Sequence, residues 1–450
     1  MIIISYELLG VKKLDSTEAL EKLKPVFGAS STFDTSPTAV LVFSGLSGFP
    51  NVHSTTVIRF CYSGGLFEQL RQNRIAERTG TIIMGRQAIF DLLRAKAFWP
   101  PVVVPFGLDP FGWHGSRESY GELCEFALRY CTLLPKVYPL DSPLCLGEAE
   151  VYIESVETEK PDGGTVREHR LIGGPHRLSM EEIRDRGEMS WKTSKRWIET
   201  EDDFTAFLSL DSLQPAIPDI AAVREKEQQV GEHGLPYAEV NDPFSVVSEM
   251  FPTEIFYIKT VNDRDRVDKL IDLTAQRILS SIRNLCRDTR SPFILRLIGS
   301  EKAVPPFMSR DDFLHFEGDF YTEVVEIASK HDVPVAFHCH GPVRDILSDI
   351  WSMGCSIVEP FEPPPRGNLS ISEALELTAG RGVVFGGIDD VLLSTGSSED
   401  VRRAVQMCLD GARNSGRPFI LSQSATPFFD PLSEKTKKNL LLFLELSVKG

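Results

Sequence analysis

The stretch VAFHCHGPVRDILSDIWSMGCSIVEPFEPPP, residues 335–365, predicts the architecture of most of the chain. An apolar run at residues 333–337 is typical of a buried strand, and it leads into the polar sequence HCH at residues 338–340. A proline then opens a segment with apolar residues at helical spacing, Gly354 closes it, and a second apolar run ends at Glu359. Strand, helix and strand form one βαβ unit with ionisable residues after both strands. In parallel α/β folds, active sites lie at those strand ends.

The same alternation of strands and helices extends over much of the chain. Besides the run at 333–337, apolar runs that predict strands lie at residues 102–106, 234–240, 293–299, 355–358, 382–385 and 418–422, and one more strand is expected within residues 148–171. Helical patterns separate most of them, and a last helix is predicted at residues 434–448. About eight strands alternating with helices predict an α/β fold of the (β/α)8 TIM-barrel type. The alternative is an open, doubly wound sheet.

Two segments depart from the alternation. Residues 1–80 carry no recognisable chemistry, and we expect an N-terminal appendage of unclear structure ahead of a barrel at residues 81–450. Between about residues 148 and 198 the pattern changes to short alternating runs. Two of these runs are joined by KPDGG at residues 160–164, which is a strong hairpin signal. We therefore predict a β-hairpin insertion in the barrel.

Composition limits the classes of protein that fit. The chain has 450 residues, is 42% hydrophobic and carries a formal net charge of −16. That charge argues against nucleic acid as the main ligand and against an anionic membrane surface, because both require a basic face. The eight cysteines include no CxxC pair, which favours a reducing compartment over a disulfide scaffold. With no long apolar run in the sequence, we predict a cytoplasmic protein.

The first candidate site is the histidine pair. Side chains alternate along a strand, so His338 and His340 point to the same side and Cys339 to the other. Two imidazoles at this spacing can bind one metal ion, with Glu359 or Glu362 as an oxygen ligand and an open position for catalysis. Without a metal, the same residues can act as general acid and base, since histidine titrates near neutral pH. A third possibility is that the tip only lines a pocket.

Polar residues after two later strands extend the candidate site. Gly386 and Gly387 precede Asp389, and a pair of glycines lets a substrate approach the backbone closely. We predict a catalytic role for Asp389 and substrate contacts for the two glycines. The last strand ends in Ser422-Gln-Ser424, and both serines are candidates for substrate binding.

Two further residues have open alternatives. Arg296 lies inside an apolar run and therefore needs a charge partner, which is either a substrate carboxylate or an internal Glu or Asp. Asp109 follows the strand at 102–106 and precedes a proline. It is a candidate for substrate binding, and the alternative is that it organises its own turn.

These strand-end motifs carry a resemblance to a known family. PVAFHCHG at residues 334–341, EPFEPPP at 359–365, GGID at 386–389 and ILSQSATP at 420–427 resemble those of the uroporphyrinogen decarboxylase superfamily in order and spacing. That superfamily also contains zinc-dependent methyltransferases of corrinoid systems. The resemblance spans roughly residues 84–448 and implies a single-domain barrel, a cleft at the strand carboxyl ends, and a homodimer.

The sequence departs from both characterised branches. The decarboxylases carry an Arg-Gln-Ala-Gly-Arg stretch, whereas this chain has GRQAI at residues 85–89. The methyltransferases use His-x-Cys with a second Cys near the last strand. Here the first motif is HCH at residues 338–340, and no cysteine stands near residues 422–424.

We therefore expect an enzyme of this superfamily that catalyses metal-assisted methyl transfer or demethylation of a small organic substrate, with zinc and a corrinoid protein as the implied cofactor and partner. The alternative is a decarboxylase of a carboxylated aromatic or tetrapyrrole that needs no cofactor. Another alternative is a barrel that binds a small molecule or a corrinoid partner without turnover. Such a docking module should expose an apolar rim, whereas an enzyme should show perturbed ionisable groups in a pocket.

Overall fold

The computed structural model describes the backbone of residues 38–43 and 56–61, and residues 84–450 except 95–98, 141–143, 145–150, 173–176, 187–190 and 211–213. The chain divides into two units, Met1–Gly80 and Thr81–Gly450. In the first unit, β1 (Thr38–Phe43) pairs antiparallel with β2 (Thr56–Cys61). The rest of the expected N-terminal appendage, residues 1–80, lies outside the described residues.

The second unit alternates strands and helices. Its strands are β3 (Val102–Val103), β4 (Lys136–Val137), β5 (Tyr152–Glu159), β6 (Thr165–Ile172), β7 (Ser179–Arg184), β8 (Lys192–Lys195), β9 (Tyr237–Asn241), β10 (Ile294–Ile298), β11 (Val335–His338), β12 (Ile357–Phe361), β13 (Val383–Ile388) and β14 (Phe419–Gln423).

Its α-helices are α1 (Arg86–Leu93), α2 (Gly121–Tyr130), α3 (Glu201–Leu208), α4 (Ile220–Val230), α5 (Pro243–Met250), α6 (Thr253–Asn262), α7 (Arg264–Thr289), α8 (Arg310–Phe313), α9 (Asp319–Ser329), α10 (Leu347–Met353), α11 (Ile371–Thr378), α12 (Asp390–Thr395), α13 (Ser398–Ser415) and α14 (Glu434–Lys449). A π-helical turn, Leu314–Gly318, joins α8 to α9. Along the described part of the chain, no helix is both long and apolar enough to cross a bilayer.

Eight of the strands form one sheet, in the order β3-β14-β13-β12-β11-β10-β9-β4. The seven neighbouring pairs in this order are all parallel. At the remaining junction, the backbone N–H of Thr132, just before β4, donates to the carbonyl of Val103 on β3 at 2.9 Å. The strands are rich in Val, Ile, Leu and Phe because parallel strands in such folds are covered on both faces. The predicted (β/α)8 barrel is confirmed.

One strand lies elsewhere than the sequence predicts. The second barrel strand is Lys136–Val137, not a strand within residues 148–171. This strand has only two residues and lies between Pro135 and Pro139, so it gives no apolar run that the sequence pattern could reveal. Strands β5 to β8 instead form a separate antiparallel sheet in the order β5-β6-β7-β8. Its first two strands form the predicted hairpin insertion, which is confirmed.

The helix after the HCH sequence also begins later than predicted. It starts at Leu347 rather than directly after the proline at residue 342. Gly341 has a φ of +94°, and the backbone N–H of Arg344 donates to the side-chain oxygen of Asn368 at 3.1 Å. This hydrogen bond ties the segment to the loop that follows β12. The HCH sequence is therefore followed by an ordered loop at the strand carboxyl ends.

The interior of the barrel is apolar in its lower part. Side chains from the strands and from α1 form one buried cluster: Ala88, Ile89, Leu92, Val102, Val104, Phe106, Leu134, Leu235, Tyr237, Ile294, Ala336, Ile357, Val383, Phe385 and Ile420. Helix α1 closes the amino-terminal end of the strands, where Arg86 donates to the carbonyls of Gly231 and Gly234. Polar ligands therefore reach the interior from the opposite end, which we call the mouth.

Candidate active site at the barrel mouth

Two histidines stand where β11 meets the mouth. His338 is the last residue of β11 and is 8% exposed, and His340 follows two residues later. Their ring centroids are 4.8 Å apart and the rings are nearly perpendicular, at 89°. The two imidazoles therefore converge at one point, as the alternation of side chains predicts.

A carboxylate from the neighbouring strand completes the group. Oε1 of Glu301, which follows β10, lies 3.4 Å from Nε2 of His338 and accepts the backbone N–H of His340 at 3.1 Å. One ligand atom from each of Glu301, His338 and His340 lies within 4.8 Å of the others. Ligand atoms around a tetrahedral zinc ion stand about 3.4 Å apart, so shifts of about 1 Å bring the three onto one ion. The residues fit a three-ligand metal site.

Each histidine has a carboxylate on its other ring nitrogen. Nδ1 of His338 lies 3.1 Å from Oε2 of Glu359, and Nδ1 of His340 lies 3.3 Å from Oε1 of Glu362. Metal-bound histidines commonly donate their second nitrogen to a carboxylate in this way. Glu359, which the sequence predicts as a metal ligand, faces Nδ1 of His338, whereas Glu301 is the carboxylate on the Nε2 side. Glu362 likewise supports His340.

Arg296 pairs with two internal glutamates. Its Nε donates to Glu359 at 2.5 Å, and a second nitrogen forms an ion pair with Glu239. Arg296 is only 1% exposed, and both of these carboxylates are buried as well. Of the two alternatives for Arg296, these contacts match the internal carboxylate partner, which a buried guanidinium needs.

The tautomer of His338 decides what its free nitrogen can do. If Nδ1 carries the proton, it donates to Glu359, and Nε2 keeps a lone pair toward Glu301. If Nδ1 is unprotonated, it accepts from Arg296, whose nitrogen lies 2.7 Å away, and Nε2–H points at Glu301. Only the first tautomer offers a metal ligand or a base at the mouth.

The pKa values of the two histidines shift in opposite directions. Burial lowers the pKa of His338, although the charge of Glu359 opposes this, so the imidazole is neutral at pH 7. Burial also opposes the charged form of His340, but the hydrogen bond to Glu362 and the nearby glutamates outweigh it and raise its pKa. Burial opposes ionisation of Glu359 as well, yet Arg296 and His338 lower its pKa to about 2.

An arginine and three carboxylates form the rim of the site. Arg366, whose side chain is 42% exposed, lies 3.3 Å from Glu362, 3.7 Å from Asp389 and 2.8 Å from Asp390. Oδ1 of Asp389 accepts the backbone N–H of Val391 and caps α12, and burial raises the pKa of this carboxyl. Asp389, which the sequence predicts as a catalytic residue, thus lies at the mouth, where it caps α12 and faces Arg366. Sequence reasoning missed Arg366.

The two glycines are required by packing. A Cβ on Gly386 would lie 2.5 Å from the backbone N and O of Phe361 on the neighbouring strand. A Cβ on Gly387 would lie 2.7 Å from Sγ of Cys408. Both residues have positive φ, at 141° and 110°. Gly386 therefore allows close contact between two strands, and Gly387 between a strand and a helix. The substrate contacts predicted for both glycines stay predictions.

The serines of the last strand are also engaged within the fold. Oγ of Ser422 donates to the carbonyl of Val104 at 2.6 Å and so joins β14 to the segment after β3. Oγ of Ser424 donates to Oδ1 of Asp390 at 3.0 Å. Both serines are fully buried. These internal hydrogen bonds give both serines a role in the fold, and their predicted substrate contacts stay predictions.

Asp109 organises its turn, which is the second of the two expected alternatives. Its Oδ1 accepts the backbone N–H of Phe111 at 2.9 Å, and its Oδ2 lies 3.2 Å from Nζ of Lys226. Both carboxylate oxygens therefore have partners within the fold, while the substrate role of Asp109 stays a prediction.

Sequence reasoning missed Glu301, Lys136 and Glu239. Glu301 is the second residue after the predicted strand FILRLIG, and a carboxylate at such a strand end is the signal that could have found it. Lys136 lies on the two-residue strand that the apolar pattern does not reveal. Glu239 lies inside a predicted strand, and the need for a partner to Arg296 pointed to such a residue without naming it.

Exposed aromatic residues occur in two loops that follow barrel strands. Phe307, after β10, is 58% exposed, while Phe428 and Phe429, after β14, are 53% and 51% exposed. The structure thus combines perturbed ionisable groups at the mouth with apolar side chains in the surrounding loops. Perturbed ionisable groups are the feature expected of an enzyme, and exposed apolar side chains are the feature expected of a docking module.

This protein is a (β/α)8 barrel with histidines, carboxylates and a buried arginine at its mouth. It therefore falls in the class of barrels that have a polar catalytic or binding centre at the carboxyl ends of their strands. Residues 199–428 match the family model described as uroporphyrinogen decarboxylase (URO-D), slightly more than half of the chain. The protein belongs to this family.

Similar solved structures include a methyltransferase from Methanosarcina mazei, with 14% identity and a TM-score of 0.42 over 60% of this chain and 74% of that one. Another is xylanase B from Clostridium stercorarium F9, with 11% identity and a TM-score of 0.28 over 46% and 71% of the respective chains. We draw no function from scores this low. No curated protein matches the sequence.

Proposed function

We propose that this protein is an enzyme that transfers or removes a methyl group on a small organic substrate at a zinc site formed by Glu301, His338 and His340. The observation that carries the proposal is the convergence of these three side chains within 4.8 Å. Two imidazoles and one carboxylate are a known donor set of catalytic zinc sites, which keep the fourth position for water or substrate.

The surrounding residues have distinct tasks in this proposal. Glu359 and Glu362 hold the imidazoles of His338 and His340 through Nδ1, at 3.1 and 3.3 Å. Arg296 keeps Glu359 ionised, so that the carboxylate accepts a proton from the ring nitrogen and fixes the tautomer with a free Nε2. When bound, zinc lowers the pKa of a coordinated thiol, alcohol or water and so supplies a nucleophile.

A corrinoid protein is the proposed methyl carrier, because the sequence resembles a superfamily that includes corrinoid methyltransferases. The exposed side chains of Phe307, Phe428 and Phe429 support a docking surface for such a partner. The predicted homodimer remains a proposal of the same kind.

Metal content tests the proposal first. We expect purified protein to contain about one zinc per chain by elemental analysis. His340→Ala and Glu301→Gln should lose the metal while staying folded. His315→Ala is the matched control, because His315 also pairs with a carboxylate, Asp268 at 2.9 Å, but lies outside the site. Protein that stays free of metal after incubation with zinc would refute the site.

Activity is tested separately with free methylcobalamin and a small thiol. The thiolate sulfur would take the methyl group as its bond to cobalt breaks, giving a thioether and cob(I)alamin. Loss of methylcobalamin absorbance should require zinc, His338 and His340. If zinc-loaded protein turns over neither this pair nor other methyl donors, the proposed methyl transfer is refuted. The proposed zinc site is not affected by that result.

Decarboxylation without a cofactor is the second candidate, favoured by the opposite pKa shifts of the two histidines. A neutral His338 and a His340 with raised pKa suit the roles of base and acid. Release of carbon dioxide from carboxylated aromatics by metal-free protein, lost in His340→Ala, would establish it.

A further inference from the structure

A charged layer lies on top of the apolar interior of the barrel. It consists of Lys136, Glu239, Arg296, His338 and Glu359, from five different strands. The carboxylates and Arg296 are almost fully buried, with side-chain exposures of 2%, 0% and 1%. The apolar cluster and α1 close the barrel below this layer. Among the described residues, the apolar cluster covers one side of the layer, and the other side faces the mouth.

Lys136 is the cation of this layer that remains accessible. Its side chain is 28% exposed, against 1% for Arg296. Among the described residues, the carboxylate within ion-pair distance of its ammonium is Glu239, at 3.4 Å, which also forms an ion pair with Arg296. An ammonium group has three N–H donors, so Lys136 can donate to a ligand as well as to Glu239.

One aromatic ring places Lys136 beside the histidine site. Nζ of Lys136 lies 5.3 Å from the centroid of Phe106, and the ring of His338 stacks on Phe106 at a centroid distance of 6.1 Å. A ligand group bound at Lys136 would therefore lie one ring away from His338. That separation suits a small molecule whose charged end is held while another atom reaches the histidines.

The surroundings leave the charge of Lys136 incompletely compensated. Burial and the positive charge of Arg296 together lower the pKa of this ammonium to about 8, although the negative charge of Glu359 opposes the shift. A depressed lysine pKa means that the folded protein disfavours the cation. An anion from solution would supply the missing negative charge, and its binding would be coupled to retention of the proton.

We propose that Lys136 is an anion-binding residue that holds the carboxylate or phosphate group of a small substrate in the barrel mouth. The inference rests on the proposed function only for the location of the substrate, and it adds the chemical class of that substrate. Lysine suits such a group as a compact point charge that accepts several geometries. Arg296 cannot take this role, because Glu239 and Glu359 already bind it.

Anion binding to the full-length, chelator-treated protein tests the proposal without the metal. Benzoate and phenyl phosphate are the probes, and isothermal titration at low ionic strength measures their affinity. We expect at least one probe to bind, and Lys136→Gln to weaken that binding by about tenfold or more. Lys226→Gln is the matched control, since Lys226 is 18% exposed and pairs with a single carboxylate, Asp109.

Preference between the two probes distinguishes a carboxylate site from a phosphate site. The proposal is overturned if neither probe binds the wild-type protein, or if Lys136→Gln binds as tightly as the wild type. His340→Ala should keep the anion affinity even when it loses zinc. Failure of the zinc site and failure of the anion site are therefore seen in different measurements.

A second measurement needs no variant. At about pH 8 the amine of Lys136 is partly neutral and reacts with an acylating reagent, and mass spectrometry gives the rate at this residue. Saturating probe should slow acylation of Lys136 at least about fivefold and leave Lys226 unchanged. Equal rates with and without probe would overturn the proposal even if Lys136→Gln does not fold.

Discussion

At the scale of single residues, the ion group around Arg296 dominates the interior of the site. Glu359 serves two partners, Arg296 and His338, while being fully buried. Its carboxylate has a low pKa only because those partners outweigh the cost of burial. Glu359, which the sequence suggested as a metal ligand, therefore holds His338, one of the three proposed ligands.

Replacement of Glu359 should lower the free energy of unfolding substantially. Glu359→Gln keeps the shape but leaves the buried guanidinium of Arg296 with Glu239 as its carboxylate partner, and we expect a loss of about 3–5 kcal/mol in the free energy of unfolding. Urea denaturation measures it. Asp390→Asn, which changes the half-exposed ion pair with Arg366, should cost less than about 1 kcal/mol. Similar losses in the two variants would contradict the assignment.

A second buried acid pair lies beside the site. Burial raises the pKa of Asp242 to about 7 and that of Glu317 well above its usual range. Oε1 of Glu317 accepts the N–H of Phe244 at 3.1 Å, and Oε2 meets no donor among the described residues. A proton on Oε2, donated to Asp242, satisfies both carboxyls. The pair therefore holds a proton when folded.

The acid pair predicts how stability changes with pH. The pKa values of Asp242 and Glu317 are higher in the folded protein than in the unfolded chain, where they are about 4. At pH values between the unfolded and the folded pKa, the folded protein therefore binds more protons than the unfolded chain does. Stability should fall as pH rises from about 4 through about 7, by up to about 1.4 kcal/mol per pH unit for each proton released. Glu317→Gln, which keeps a donor toward Asp242, should flatten this slope. Urea unfolding at about pH 6 and about pH 8 measures it, and equal slopes would contradict the shared proton.

At the scale of elements, close contact between β12 and β13 depends on Gly386. A methyl group there would lie 2.5 Å from the backbone of Phe361. Gly380 also has positive φ, 79°, but a Cβ on it would meet no atom within 4 Å. The two glycines separate the effect of backbone conformation from that of packing.

Alanine at the two positions should therefore differ in cost. Gly380→Ala should cost about 1–2 kcal/mol from the left-handed backbone alone. Gly386→Ala should cost about 1–3 kcal/mol more, because the neighbouring strand must move. Thermal or urea unfolding compares them. If both variants were equally stable, packing against Phe361 would not be the reason for this glycine.

The sequence predicts elements better than it predicts contacts between them. The apolar runs located most barrel strands, and the alternation of side chains brought His338 and His340 together. Glu301 was missed because it joins them from another strand, and strand register is not visible in one sequence. Arg296 was known to need a partner, but Glu359, 63 residues away, becomes its neighbour only through the barrel. The short strand of Lys136 has no apolar pattern to find.

At the scale of the whole molecule, ligand binding should raise stability. The three proposed ligands lie at or just after the carboxyl ends of β10 and β11, so an ion would join two barrel strands at the mouth. Zinc at about 100 times its dissociation constant should add about 2.7 kcal/mol. Thermal unfolding with and without zinc measures the shift. His340→Ala should show no shift and His315→Ala a normal one; a zinc effect in both would place the ion elsewhere.

The π-helical turn Leu314–Gly318 has a consequence for sequence comparison. A π turn contains one residue more than an α turn, so it corresponds to a single-residue insertion in a helix. Deleting one residue there would restore a regular helix and rotate Glu317 by roughly 100° away from Asp242. Related chains without the extra residue would therefore lack the acid pair, and a one-residue gap in an alignment would mark them.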